Sequence, residues 1–332
     1  MRRPASLALA LLAAAGGATA SAPRPAPLVL EGAIAGVHDP AILQDGDTYY
    51  LFATGHLGSK QGLLPLRTST DLRHWTLRGP SYAQLPAWVR TAVPGATGIW
   101  APDISKAGRE YRLYYAVSTF GKNRSAIGLA TAPRVDPAAP AAHWTDRGPV
   151  VTSGPGDDFN AIDPMPFGDA EGRAWLVFGS FWSGIKLIRI DPATGLRLAG
   201  DQPPRALAAR PDPGAVEAPY VIRHAGRYYL FVSFDFCCRG AASSYHTVVG
   251  RSSAPDGPYV DRDGRPMLAG GGTVVLGNGR GTRFVGRGGA SILQRRDGDV
   301  IVYHAYDTQH GGTPTLRIQR LGWTRDGWPV AR

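Results

Sequence analysis

Apolar and polar residues follow one another along this chain in short runs, without the long 3.6-residue period of an amphipathic helix. Tyr49-Tyr50-Leu51-Phe52, Tyr111-Arg112-Leu113-Tyr114-Tyr115, Trp175-Leu176-Val177-Phe178, Tyr228-Tyr229-Leu230-Phe231 and Val300-Ile301-Val302-Tyr303-His304 are rich in aromatic and aliphatic side chains, the composition of strands. Each follows another apolar run across a Gly-containing turn: Asp45-Gly46-Asp47, Ala107-Gly108-Arg109, Ala170-Glu171-Gly172, Ala225-Gly226-Arg227 and Asp297-Gly298-Asp299. Two such runs joined by such a turn predict a β-hairpin. A third strand follows every hairpin, and several units end in an outer strand carrying Trp75, Trp144, Tyr259 or Trp328. Five units of about four strands, repeating every ~55–70 residues, predict an all-β chain folded as a five-bladed β-propeller. A β-sandwich would not account for five similar units.

The first runs share a further feature. They open on His38-Asp39-Pro40, Trp100-Ala101-Pro102-Asp103, Ile162-Asp163-Pro164 and Val216-Glu217-Ala218-Pro219. In a propeller the first strand of each blade lines the axis, so Asp39, Asp103, Asp163 and Glu217 are expected to converge on one funnel. A lone Asp-Pro is as readily a turn carboxylate; recurrence in four repeats is what argues for a site. Asp103 departs from the pattern because it follows its proline.

Converging carboxylates are what glycoside hydrolysis needs. An inverting enzyme sets a general acid against a general base roughly 6.5–9.5 Å away, leaving room for the attacking water. Glu217 lies between Val216 and Ala218-Pro219, an apolar setting that raises a carboxyl pKa and suits the acid. Asp39 is the expected base. Asp163 is expected to hold Glu217 in place and, by its negative charge, to keep it protonated. Trp100, Phe120, Phe181 and Trp182 are candidates for stacking on sugar rings, and Gly121, Asn160 and Ser180 for contacts with hydroxyls.

Composition narrows the picture. The 43 Gly and 28 Pro among 332 residues suit a chain full of turns. Arg2-Arg3, the apolar run Leu7 to Ala15 and the small residues Ala18-Thr19-Ala20 read as a secretion leader over 1–20, cleaved after Ala20. Residues 21–30 then read as a linker and 31–332 as the propeller, placed in the periplasm or outside the cell. The apolar run is too short to span a bilayer, and no other segment is long and apolar enough. Without Arg2 and Arg3 the balance is 34 basic to 26 acidic residues, or +8, but the basic residues are scattered. Nucleic-acid binding needs a stripe or patch, so neither nucleic acid nor membrane is expected as a partner. The two cysteines, Cys237 and Cys238, are neighbours. They can pair with each other or stay thiols, but cannot staple distant segments or make a zinc site.

The ordered set His38-Asp39-Pro40, Trp100 to Asp103, Ser118 to Thr131, Asn160 to Pro164, Phe178 to Gly184, Val216 to Tyr220 and Phe236-Cys237-Cys238-Arg239-Gly240 resembles family 43 of the glycoside hydrolases, in its arabinan endo-1,5-α-L-arabinosidase branch. The resemblance covers the whole mature chain. It implies a five-bladed propeller, inversion, Asp39 as base, Glu217 as acid, and Asp163 orienting the acid and raising its pKa. It also implies substrate contacts at Gly121, Asn160, Ala161, Ile162, Ser180, Phe181 and Trp182, and arabinan, free or pectin-associated, as substrate of a monomeric enzyme. Exo-acting arabinofuranosidases and β-xylosidases of the same family are the alternatives, with a catalytically inactive sugar-binding propeller as the reading from another class.

No cofactor is implied for the chemistry. Family members often carry a His in a Gly-Pro-Gly-His segment that helps bind an axial calcium. Here the segment reads Gly286-Arg287-Gly288-Gly289, so Gly289 stands in place of that His and the metal is left open, with Arg287 as a cation that would stand near the axis instead. His304 reads as a packed strand residue. Met165-Pro166 stands where many relatives have a polar residue first.

Overall fold

The computed structural model describes residues 27–332; the expected leader lies outside them. Five antiparallel sheets follow one another along the chain. Their first strands are Ala41–Asp45, Gly98–Ala107, Met165–Gly168, Val216–His224 and Phe284–Leu293, and each sheet adds three further strands in chain order, save that the short strand Gly55–His56 leaves the first sheet and pairs with Gly98–Ala107 of the second. The expected five-bladed propeller is thus what forms. Helix is confined, among the described residues, to the four-residue turn Val89–Ala92 and three short 3-10 turns, so no helix is long enough to cross a membrane.

Both faces of every sheet are buried, and two-residue alternation divides the side chains between neighbours. On Glu110–Val117, Tyr111, Leu113, Tyr115 and Val117 pack towards the first blade, whereas Tyr114 packs towards the third. Five apolar clusters result, one at each blade junction. The ring closes through the residues before the first strand. Leu28 N–H donates to the Ile318 carbonyl, Gly36 and Val37 donate to that of Pro314, and Glu31–Gly32 pairs in parallel with His74 and Trp75. The described end of the expected linker therefore belongs to the closure, and Leu30 is buried in it.

Each blade begins with a residue of positive φ at the axis: Asp39 (50°), Ala101 (40°), Asp163 (58°), Ala218 (51°) and Gly289 (57°). In blades 2, 4 and 5 this residue lies inside a register shift, between Trp100 and Asp103, Glu217 and Tyr220, and Gly288 and Ser291. Such bulges re-aim the side chains beside them. The expectation of four carboxylates at equivalent places needs correcting here. The repeated position carries a carboxylate only in blades 1 and 3; Glu217 stands one residue before it, and Asp103 two residues after. The repeat is a backbone device, and the acids are distributed around it.

Candidate active site

Asp39 is held by its neighbours in the ring. Thr54 Oγ1 donates to its Oδ2 at 2.7 Å and His38 Nδ1 lies 2.8 Å from the same oxygen. The Thr54 hydroxyl also accepts from Ala101 N–H at 2.8 Å, tying blade 1 to blade 2. Oδ1 has no side-chain donor; its nearest imidazole nitrogen, His304 Nδ1, is 3.7 Å away and accepts the Asp39 N–H at 3.2 Å. Burial works against the Asp39 charge, but the charge and hydrogen bond of His38, then His304 and Thr54, outweigh it and hold the carboxyl well below its usual range. At His38, burial is likewise outweighed by Asp39, and the imidazole pKa is raised.

Glu217 precedes the blade-4 bulge and pairs with Ser233. Ser180 Oγ donates to its Oε2 at 2.7 Å, and the buried Tyr245 stands near it. Asp163 Oδ2 accepts the Ala218 N–H at 2.9 Å, so Asp163 is fastened to the residue beside the acid. Both carboxyls are raised above their usual range, with burial the leading cause at each. The Asp39 charge adds to the rise at Glu217, while Asp163 feels the charges of Glu217 and Asp39. The pair therefore retains a proton where an ordinary carboxylate has lost its own. Burial, rather than the charge of Asp163, leads the rise at Glu217.

Asp103 is also buried and raised well above its usual range, by burial alone. It does not join the acid and base at the mouth. It lines, with Asp39, Asp163 and Gly289, a narrow axial cavity of about 40 Å³ beneath them, enough for a few waters.

The other expected contacts divide by depth. Phe120 is 82% exposed and Trp182 44%; both stand free, as does the backbone of Gly121. Phe181 has φ 53° and faces Phe236, ring centroids 6.1 Å apart. Trp100 is half-buried beside His56. Asn160, Ala161 and Ile162 are buried. Asn160 Oδ1 accepts from Ser125 Oγ at 2.6 Å, and Ala161 N–H donates to Ser153 Oγ at 2.9 Å, so these residues support the loop from beneath. Ser180 contacts the acid itself. Sequence reasoning missed Thr54, Tyr245 and Tyr306 and gave His38 no role, although its place before Asp39 was a signal; Thr54 and Tyr245 stand just outside strands, and Tyr306 lies within one.

The fifth blade explains Gly289. A Cβ there would lie 2.8 Å from Asp39 Oδ1 and 2.9 Å from the His304 ring, so the imidazole of His304 fills the space that a side chain at 289 would take. His304 is fully buried and stacked on His38, centroids 3.8 Å apart. Burial, then the nearby His38 charge, pushes its pKa well below the usual value. Because Nδ1 accepts the Asp39 N–H, the ring proton sits on Nε2, which is buried without a partner. His38, Asp39 and His304 lie close enough to share an ion, but they offer one carboxylate against the six to eight oxygens calcium takes. These side chains do not by themselves build a calcium cage. Arg287 turns away from the axis, bonding to the Phe284 carbonyl and Thr282 Oγ1. The grouping of His38 with the cysteines is no metal site, since Cys237 and Cys238 are disulfide-bonded to each other.

Comparison with known proteins agrees with this geometry. Residues 33–329 match the glycosyl hydrolases of family 43. The chain is 41% identical to an extracellular endo-α-(1→5)-L-arabinanase of Bacillus subtilis, over 88% of this chain and 87% of that protein. It is 38% identical to an extracellular exo-α-(1→5)-L-arabinofuranosidase of Cellvibrio japonicus, over 88% and 85%. Among solved structures, a family 43 endo-arabinanase of Bacillus licheniformis superposes with a TM-score of 0.83 at 41% identity, covering 91% of this chain and 99% of the other. With its five blades, its clustered axial carboxylates and these relatives, the chain belongs to glycoside hydrolase family 43.

Proposed function

We propose that this enzyme hydrolyses internal α-1,5-L-arabinofuranosidic bonds of arabinan with inversion, outside the cytoplasm. The observation that carries the reading is the opposed tuning of two half-buried carboxyls at one site: Asp39 is pushed towards its ionised form and Glu217 towards its protonated form. That is the division of labour between base and acid. Asp39 Oδ2 is occupied by His38 and Thr54, so Oδ1 takes the proton of the attacking water. Glu217 gives its proton to the leaving glycosidic oxygen, steadied by Ser180 and by Asp163 through Ala218. Burial and the charge of Asp39 favour the protonated form of Glu217. Phe120 and Trp182, both exposed, suit the faces of further sugar rings, and the endo-acting and exo-acting relatives are both named for α-(1→5) linkages.

The exo-acting relative supports a second reading, release of single arabinose units from chain ends. The size profile of early products from linear, debranched arabinan separates the two. A ladder of oligosaccharides supports the endo reading, arabinose alone replaces it with the exo reading, and no product from either would remove both. Asp39→Asn and Glu217→Gln should each lower kcat by about 10²–10⁴-fold. Near wild-type rates in either variant would overturn that residue's role.

A further inference from the structure

The disulfide turn of blade 4 is joined to Asp39 by an unbroken chain of hydrogen bonds. Cys238 N–H donates to the Tyr306 hydroxyl at 2.7 Å. That hydroxyl lies 2.8 Å from His38 Nε2, and His38 Nδ1 lies 2.8 Å from Asp39 Oδ2. A peptide N–H can only donate, so the Tyr306 oxygen accepts it; towards His38 Nε2 the hydroxyl donates when the imidazole is neutral and accepts with its second lone pair when the imidazole is protonated. In either state His38 Nδ1 carries the proton that the Asp39 carboxylate accepts.

We propose that Tyr306 is a positioning residue for the base: anchored by the Cys237–Cys238 turn, it fixes the orientation of His38 and, through His38, the Asp39 carboxylate. The proposal rests on the reading of Asp39 as the base. Three features of the site favour it. Tyr306 is buried, on the central strand pair of blade 5 beside His304, so its hydroxyl has few places to turn. Cys238 has φ 66°, and its bond to the adjacent cysteine ties the turn that aims the N–H inward. His38 is packed flat on His304, so the ring cannot swing away, and its bonds to Tyr306 and Asp39 fix its rotation within the plane of the stack. Without the Tyr306 hydroxyl the ring is free to turn in that plane, the Nδ1–H bond to Oδ2 loses its aim, and Thr54 remains as the other side-chain donor to Oδ2.

The other ionisable groups facing this chain are His304 on blade 5, Glu217 and Tyr245 on blade 4, Asp163 on blade 3, and His56 ahead of blade 2. None replaces the Tyr306–His38 link, since none bonds to His38 Nε2. Loss of a donor to ionised Asp39 raises its pKa, so the acid limb of the rate profile moves to higher pH.

The test is Tyr306→Phe assayed on debranched arabinan across pH, beside Asp39→Asn. We expect kcat to fall about tenfold or more, as misplacement of a reacting group does, with KM within about twofold of wild type and the acid limb shifted upward. Wild-type kcat with an unmoved acid limb, while Asp39→Asn is inactive, overturns the positioning role and leaves the base in place. Activity retained by Asp39→Asn instead overturns the base, and the proposal with it. Should Tyr306→Phe not fold, His38→Gln tests the next link: the same signature supports the relay, and unchanged kcat with an unmoved limb overturns it.

Discussion

Asp39 and Glu217 are both half-buried carboxyls, yet their neighbours drive them apart. Donors surround the first; the second shares a low-dielectric corner with Asp163. The sign of the pH dependence follows. Asp39 works ionised, and its folded pKa is depressed, so activity survives acidification and is lost only as pH falls through that depressed value. Glu217 works protonated, and its raised pKa carries activity above the ordinary carboxylate range before it is lost. A kcat/KM profile should therefore be wider, on both sides, than two unperturbed carboxyls would give. Thr54→Val removes a 2.7 Å donor from Asp39 and the acceptor of Ala101 N–H. It should raise the acid limb and destabilise the protein by about 1–3 kcal/mol, read from paired pH-rate and denaturant curves. Glu217→Gln should act oppositely on stability. Folding obliges the Glu217–Asp163 pair to take up a proton at neutral pH, a penalty present above the unfolded carboxyl pKa and absent below it. The amide should raise Tm by about 2 °C or more at pH 7 and lose that advantage near pH 4.

At the scale of the strand, the site depends on five left-handed starts. Four are not glycine, and such residues carry about 1–3 kcal/mol of backbone strain each. The blade-junction cores hold them in place. Gly289 is the one whose side chain must be absent, because Asp39 Oδ1 and His304 already fill the space. Gly289→Ala should destabilise by about 1–3 kcal/mol and, by crowding Oδ1, depress kcat at temperatures far below its Tm. A variant with normal kcat below its melt would show that Oδ1 has room to spare. Glu217 is placed by its bulge rather than by the repeat, which is why a one-residue offset in sequence still delivers it to the mouth.

At the scale of the molecule, the carboxylates face one another only because the ring is closed. Closure runs from Leu28 to Val37 against the third strand of blade 5, with Leu316 fully buried at that junction. Leu316→Ala opens a cavity there and should cost about 2–5 kcal/mol. The loss should show in thermal unfolding while kcat at 25 °C stays near wild type, since the side chain removed belongs to the apolar cluster of the junction. A fall in kcat without a fall in Tm would mean that the junction tunes the site directly.

The chain's own order of apolar runs and Gly turns determined the five blades, because strand alternation and turn chemistry are local. That Asp39, Asp163 and Glu217 would meet was legible for a related reason: Asp39 and Asp163 each precede a proline, Glu217 stands two residues before one, and the pattern recurs at strand starts. The rise at Glu217 was legible too, in its apolar neighbours. What holds Asp39 charged was not, because His38 and Thr54 act on it only once the fold sets them against its carboxyl. Nor could the sequence separate the backbone repeat from the acids distributed around it, because a left-handed φ at Ala101 or Ala218 leaves no mark in residue type. The exchange between Gly289 and His304 is of the same kind. It is a competition for one volume between adjacent strands, and only the closed ring, which brings both to the side of Asp39, decides it.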